Sequence, residues 1–183
     1  MKIIEKKTIF EGKFLRFVIN TYIDASGVQR KWESFERVNC AGIVVIVPIT
    51  DDKQFLLTKQ FRPPINGYVI EFPAGLNDKG GHLEDAARRE LLEETGYDAK
   101  ELIFLTDGPM SSGASGEILT AYLARGLEYK GIQGRDEAED IEIIKVHMSE
   151  LDKRLSEFRA EGIYIDLKIY GLVELAKKFL PIH

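Results

Sequence analysis

The chain holds a single cysteine, Cys40, among its 183 residues. An internal disulfide is therefore excluded, and the composition fits a reducing compartment. The neighbours of Cys40 are apolar, so its thiol is expected to pack as an inert, buried group. A basic excess is also missing: 25 Lys and Arg against 30 Asp and Glu leave a net charge of −5. A general nucleic-acid binder wants a basic stripe, so no nucleic-acid partner is expected. A single nucleotide held through metal ions remains compatible with that charge. No apolar run approaches the length of a membrane span, and the opening MKIIEKKTIF lacks the apolar stretch of a secretory signal. No membrane is expected, and the cytoplasm is the expected location. Internal repeats and low-complexity linkers are absent. The three histidines, His82, His147 and His183, have no ligand spacing.

What remains is an ordinary globular composition, 44% hydrophobic and 30% charged. The length fits one domain, or one domain with a small appendage, and suffices for a real core. Residues 1–38 read as strands: KKTIFEG, then KFLRFVINTYID, a turn at ASGV, then QRKWESFERV. AGIVVIVPI (41–49) is a near-continuous apolar run, as expected of a strand buried on both faces. QFLLTKQF and GYVIEF (67–72) read as further strands, and PAGLNDKGG (73–81) as a loop. A helix follows over about 82–95, stopped by Gly96. Strands near ELIFLTD, EILTAYLA and IEIIKV come next, then helices in MSELDKRLSEFRAEG and LKIYGLVELAKKF. The mixture predicts an α+β or mixed α/β fold.

The helix over 82–95 carries the informative pattern. At about 100° per residue, with Leu83 at zero, Ala87, Leu91 and Ala86 fall near +40°, +80° and −60°. Glu90, Glu93 and Glu94 fall near −20°, −80° and +20° on the same wheel. The three acids thus share the apolar, protein-facing side, while Arg88, Arg89, Asp85 and Leu92 take the outer side. Like charges turned inward repel and lose hydration unless something compensates them. A hard divalent cation with oxygen ligands is the simplest compensation.

Gly75, followed by RELLEETGY (89–97), resembles the Nudix box, G-x5-E-x7-R-E-U-x-E-E-x-G-U with U bulky and aliphatic. Arg89, Glu90, Leu91, Glu93, Glu94 and Gly96 match it, and Tyr97 takes the last aliphatic place. Gly81 stands where the first glutamate of the box is usual. KQFRPPINGYVIEFPAGLNDKG (59–80) is similar to the ADP-ribose/ADP-sugar pyrophosphatase branch of that family, and the similarity spans about 10–180.

The resemblance implies a Nudix α/β/α sandwich over 40–183, preceded by a small antiparallel β domain over 1–39 that serves base binding and a swapped homodimer. It implies that Trp32 and Phe14, from different subunits, sandwich the base. Glu33 and Arg37 would contact the adenine side or the partner surface, and Arg62 the diphosphate. The Ala74 carbonyl, Glu90, Glu93 and Glu94 would hold Mg²⁺, with Mn²⁺ a possible substitute. Glu139, with Glu137 as the alternative, would act as catalytic base beside Glu94. The implied reaction is hydrolysis of a nucleoside diphosphate sugar, ADP-ribose giving AMP and ribose 5-phosphate. Ser112 occupies the place of a proline usual in this branch, which widens the expected substrates to GDP-mannose and other nucleotide sugars. A non-catalytic ADP-ribose sensor is the alternative of another class, and such sensors lose box glutamates.

Plainer readings exist for the same residues. Alone, Trp32 and Phe14 are hairpin core residues, Glu33 and Arg37 a surface pair, Arg62 a solvated strand end, and RDEAED a solvated loop. SSGASG is not G-x-S-x-G and reads as a turn.

Overall fold

Alternation of apolar and polar residues makes a sheet of the first 37 residues. β1 (Lys2–Glu11), β2 (Leu15–Ile23) and β3 (Gln29–Arg37) form an antiparallel meander in the order β1-β2-β3. At the β2–β3 turn the Asp24 carboxylate accepts from the Ser26 and Val28 amides, both at 2.9 Å, and Gly27 takes φ +81°. The chain is described here by a computed structural model over residues 1–132, 134 and 140–180.

The apolar run becomes β4 (Ile43–Pro48), buried at every position. Its alternate residues enter two different cores. Val44 and Ile46 pack with Ala86, Ala87 and Leu91, while Val45 and Val47 join Phe55, Leu57 and Ile70. β4 is the parallel partner of β9 (Ile118–Tyr129) and lies within the order β7-β4-β9-β8, with β7 spanning Ala74–Leu76 and β8 Tyr97–Pro109. A second sheet, β10-β5-β6-β11, joins β10 (Ile141–His147), β5 (Gln54–Arg62), β6 (Gly67–Glu71) and β11 (Tyr164–Ile165). Helices α2 (Leu151–Ala160) and α3 (Lys168–Lys177) close the larger core through Leu155, Phe158, Ile169 and Val173. With α1 (Leu83–Thr95) on the other face of the first sheet, the layers are helix, sheets, helices. No helix among the described residues is long and apolar enough to cross a membrane.

Three local features differ from the sequence reading. The 73–81 segment is not all loop, because β7 (Ala74–Leu76) pairs antiparallel with β4, Val44 opposite Gly75. Its strand state comes from the partner edge rather than from its own weak β-propensity. Cys40 is half-buried, with its thiol donating to the Gly42 carbonyl at 3.1 Å. Trp32 and Phe14, 51% and 65% exposed, depart only from the plainer hairpin-core alternative.

Candidate active site

α1 begins after His82, with Glu84 and Asp85 in its first turn, where the helix dipole favours negative charge. It ends on Gly96, whose φ of 77° is the left-handed conformation glycine adopts freely. Ala86, Ala87 and Leu91 anchor it to the sheet. That docking turns Glu90 and Glu94 toward β7. Glu94 is 8% exposed and accepts a hydrogen bond from the Ala74 amide at 3.3 Å. Glu90 lies directly over Gly75, where an added Cβ would fall 1.8 Å from its carboxyl carbon. Glu93 completes the row, half-buried.

Arg89 corrects the helical wheel. The wheel gives its Cα a lateral, outward place, while a charge-assisted bond to the glutamates is expected of its long side chain. The guanidinium does fold inward, 2.8 Å from Glu90 and 2.9 Å from Glu93. It also donates to the Leu76 carbonyl at 2.8 Å. The wheel locates a Cα, and a long arginine stem carries its charge well away from that direction. Burial pulls the Arg89 pKa down, but the charges of Glu90, Glu93 and Asp78 outweigh it and leave the group above its ordinary value. The guanidinium therefore stays charged and spans two carboxylates. Among the described residues, no three His, Cys, Asp or Glu side chains are gathered at one point in metal-ligand geometry. The donor set nevertheless fits a hard cation: carboxylates on adjacent helical turns and a bare glycine backbone line one cleft.

That cleft has a volume of about 480 Å³. Of the residues singled out from the sequence, Arg37, Arg62, Ala74, Glu90, Glu93 and Glu94 all line it. Arg62 is held by Glu71 through Nε and Nη2, both at 2.7 Å, which leaves its Nη1 edge uncommitted to that carboxylate. Arg37 is held by Glu117 at 2.7 Å. Phe14, Trp32 and Glu33 are not in the cleft's lining. They sit on the N-terminal sheet, where the Trp32 indole donates to the Gly113 carbonyl at 2.9 Å. Glu137 and Glu139 lie outside the described residues.

A NUDIX domain model matches residues 41–164. The chain belongs to the Nudix family. It is 33% identical over 178 residues to an ADP-ribose pyrophosphatase of Bacillus subtilis (strain 168), spanning 97% of this chain and 93% of that protein. It is 31% identical over 184 residues to an ADP-sugar pyrophosphatase of Mus musculus, spanning 92% and 84%. A crystal structure of an ADP compounds hydrolase superposes with a TM-score of 0.81 over 98% of this chain and 93% of that one. Its sequence identity is 24%, so this likeness speaks for the fold.

Within the Nudix frame the departure at Gly81 has a backbone reason. Gly81 takes φ +86° and Gly80 φ +73°, and a glutamate at 81 would be strained in that region. Sequence reasoning missed Glu71, Asp166 and Lys168, which line the same cleft, and Glu117, which holds the cleft's Arg37 from the adjoining hollow. Asp166 did leave a signal, an acidic residue just before an apolar-periodic run. Its carboxylate accepts the Lys168 amide at 2.9 Å at the start of α3. Glu71 and Glu117 left none, since their role depends on arginines distant in sequence.

Proposed function

We propose that this Nudix enzyme hydrolyses the diphosphate bond of ADP-ribose and related nucleoside diphosphate sugars, releasing a nucleoside monophosphate and a sugar phosphate. The observation that carries this reading is the single cleft holding the Glu90, Glu93 and Glu94 row together with Arg37 and Arg62. A diphosphate needs both: carboxylates to hold a cation, and guanidinium groups for its own oxygens. The Ala74 carbonyl, Glu90, Glu93 and Glu94 would hold Mg²⁺, or Mn²⁺ in its place. When bound, such a cation neutralises phosphate charge and makes a coordinated water more acidic.

The chain's own groups do the rest. Arg62, fixed by Glu71, offers its remaining N–H groups to a phosphate oxygen. Arg89 stays with the glutamates and keeps their repulsion from splaying the row. Glu139, or Glu137, is assigned the proton of the attacking water, and substitution of each to Gln distinguishes them. Trp32 and Phe14 are assigned the base.

That last assignment brings a homodimer with it. Trp32 is opposite Asn20, whereas Phe14 lies beyond the Leu15–Arg37 pair that ends the same ladder. At ~3.3 Å per residue, roughly 17 Å of strand separates Trp32 from Arg37, far more than one base can bridge. A base held between these aromatics therefore takes one from each of two copies. The N-terminal sheet has the surface for it, with Ile3, Ile9, Phe10 and Leu15 all exposed.

The test is a hydrolysis panel of ADP-ribose, ADP-glucose, GDP-mannose, UDP-glucose and 8-oxo-dGTP, with Mg²⁺ or with chelator. Metal-dependent release of a nucleoside monophosphate and a sugar phosphate is expected, ADP-linked sugars ranking first. Glu94→Gln should lower kcat by about a hundredfold or more, the loss typical when a charge-stabilising group is removed, while circular dichroism stays unchanged. Absence of turnover on every nucleotide sugar sinks the reading and leaves the binding-only alternative.

A further inference from the structure

The cleft does not end at the carboxylates. Met110, Leu119, Asp166 and Lys168 line it and also line a second hollow of about 670 Å³. This hollow lies between the end of β8 and α3, walled by Pro109, Leu172 and Leu175. Arg37 and Ile43 also open into a third hollow beside Glu36 and Glu117. The carboxylate cleft thus adjoins two further hollows. A nucleoside diphosphate sugar extends beyond its diphosphate toward a nucleoside and toward a sugar, and each part needs space beside the cleft.

We propose that the hollow between β8 and α3 is the subsite for the distal sugar, with Asp166 accepting its hydroxyl groups and Lys168 facing the phosphate that carries it. The proposal rests on the hydrolase reading above. The chemistry of the mouth suits a polyol phosphate. Asp166 is largely buried, and Lys168 is ion-paired with it. One Asp166 oxygen also accepts the Lys168 amide at 2.9 Å. Each carboxylate oxygen keeps a lone pair for a sugar hydroxyl, and such charge-assisted bonds are the strong kind. The ammonium, fixed by Asp166, gives the phosphate beside the sugar a counter-charge without first losing side-chain freedom. The apolar walls then take the C–H faces of the ring, the usual division of labour in small-molecule sites.

Gly171 makes the idea testable without touching the carboxylates. It lies on α3, lines the hollow and is exposed, and a Cβ built there meets no atom within 4 Å. Gly171→Leu therefore fills the hollow while leaving the fold alone. The probe pair is ADP-ribose and ADP β-methyl ester, which keeps base and diphosphate but replaces the sugar by a methyl group. For Gly171→Leu, KM for ADP-ribose should rise about tenfold or more, the scale of a few misplaced methylenes in a pocket. Hydrolysis of the methyl ester should stay unchanged. Asp166→Asn keeps a helix-capping side chain and should likewise raise KM for ADP-ribose. Thermal melts check that both variants fold. Equal kinetics of Gly171→Leu and the parent on ADP-ribose overturn the subsite, as does an equal loss on both substrates. A parent that hydrolyses neither substrate overturns the hydrolase reading, and the subsite falls with it.

Discussion

Gly75 owes its identity to a neighbour. A Cβ there would meet the Glu90 carboxyl carbon at 1.8 Å and its oxygens at 2.1 and 2.3 Å. The obstacle is the tip of a flexible side chain, so Gly75→Ala should fold with a nearly unchanged melting temperature. The Glu90 carboxylate would have to swing away. An ångström of misplacement at such a site costs about a hundredfold in rate, and that loss of kcat/KM is the expected outcome. Near-parental activity would show that the position of Glu90 over Gly75 is irrelevant. Arg89 predicts through charge instead. Replacing it by Met leaves Glu90 and Glu93 facing each other without their guanidinium. A loss of about 1–3 kcal/mol is expected, and added Mg²⁺ should raise the melting temperature of this variant more than that of the parent. An equal rise in both would remove Arg89 from the site's electrostatics.

At the scale of elements, the end of α1 does two jobs. Gly96 caps the helix, and its carbonyl accepts the Lys130 amide at 2.8 Å, so the segment leaving β9 rests on the helix end. A Cβ at Gly96 would come within 2.8 Å of the Tyr129 ring and 3.0 Å of the Ile132 amide. Gly96→Ala should thus cost about 1–3 kcal/mol through φ strain alone, read as a lower denaturation midpoint. It should also lower kcat, because the displaced segment precedes in sequence Glu137 and Glu139, the residues proposed above as the base. Stability loss with kcat unchanged would separate the two jobs. Much of this element was legible beforehand. Helical periodicity placed Glu90, Glu93 and Glu94 on the docked face, and Gly96 marked the stop. The wheel failed only for Arg89, whose stem is long enough to bend back. β7 was illegible because Ala-Gly-Leu has no strand preference of its own, and the edge of β4 imposes one. Asp166 and Lys168 reach the cleft from the far end of the chain, where no local pattern points to Glu90.

For the whole molecule the N-terminal sheet decides the outcome. Phe10 and Phe17 stand opposite each other across β1 and β2, and both are exposed. Apolar surface of this kind, concentrated on one small sheet, marks an interaction face. Sedimentation should report a dimer at micromolar concentration. The double variant Phe10→Asp/Phe17→Asp should sediment as a monomer with KM raised about tenfold or more, since a lost base stack is worth about 1–3 kcal/mol. A parent that sediments as a monomer at assay concentration would remove the two-copy base site. The family frame and the layering could be read from the 59–97 motifs. The proposed two-copy base site was likewise implied by that resemblance, and the strand register that keeps Phe14 away from Trp32 adds a geometric reason for it.

The loop between β8 and β9 is clasped by β3 through the Trp32–Gly113 bond, the Phe35 amide to the Ala114 carbonyl at 2.9 Å and the Arg37–Glu117 pair. Met110, at the loop's other root, lines both the cleft and the hollow beside α3. One piece of backbone therefore touches both the base-binding side and the sugar hollow proposed above. Any bias that occupancy of one places on the other would be reciprocal by thermodynamic necessity. The two halves of a substrate would then be recognised cooperatively, each worth more in the presence of the other than when offered alone.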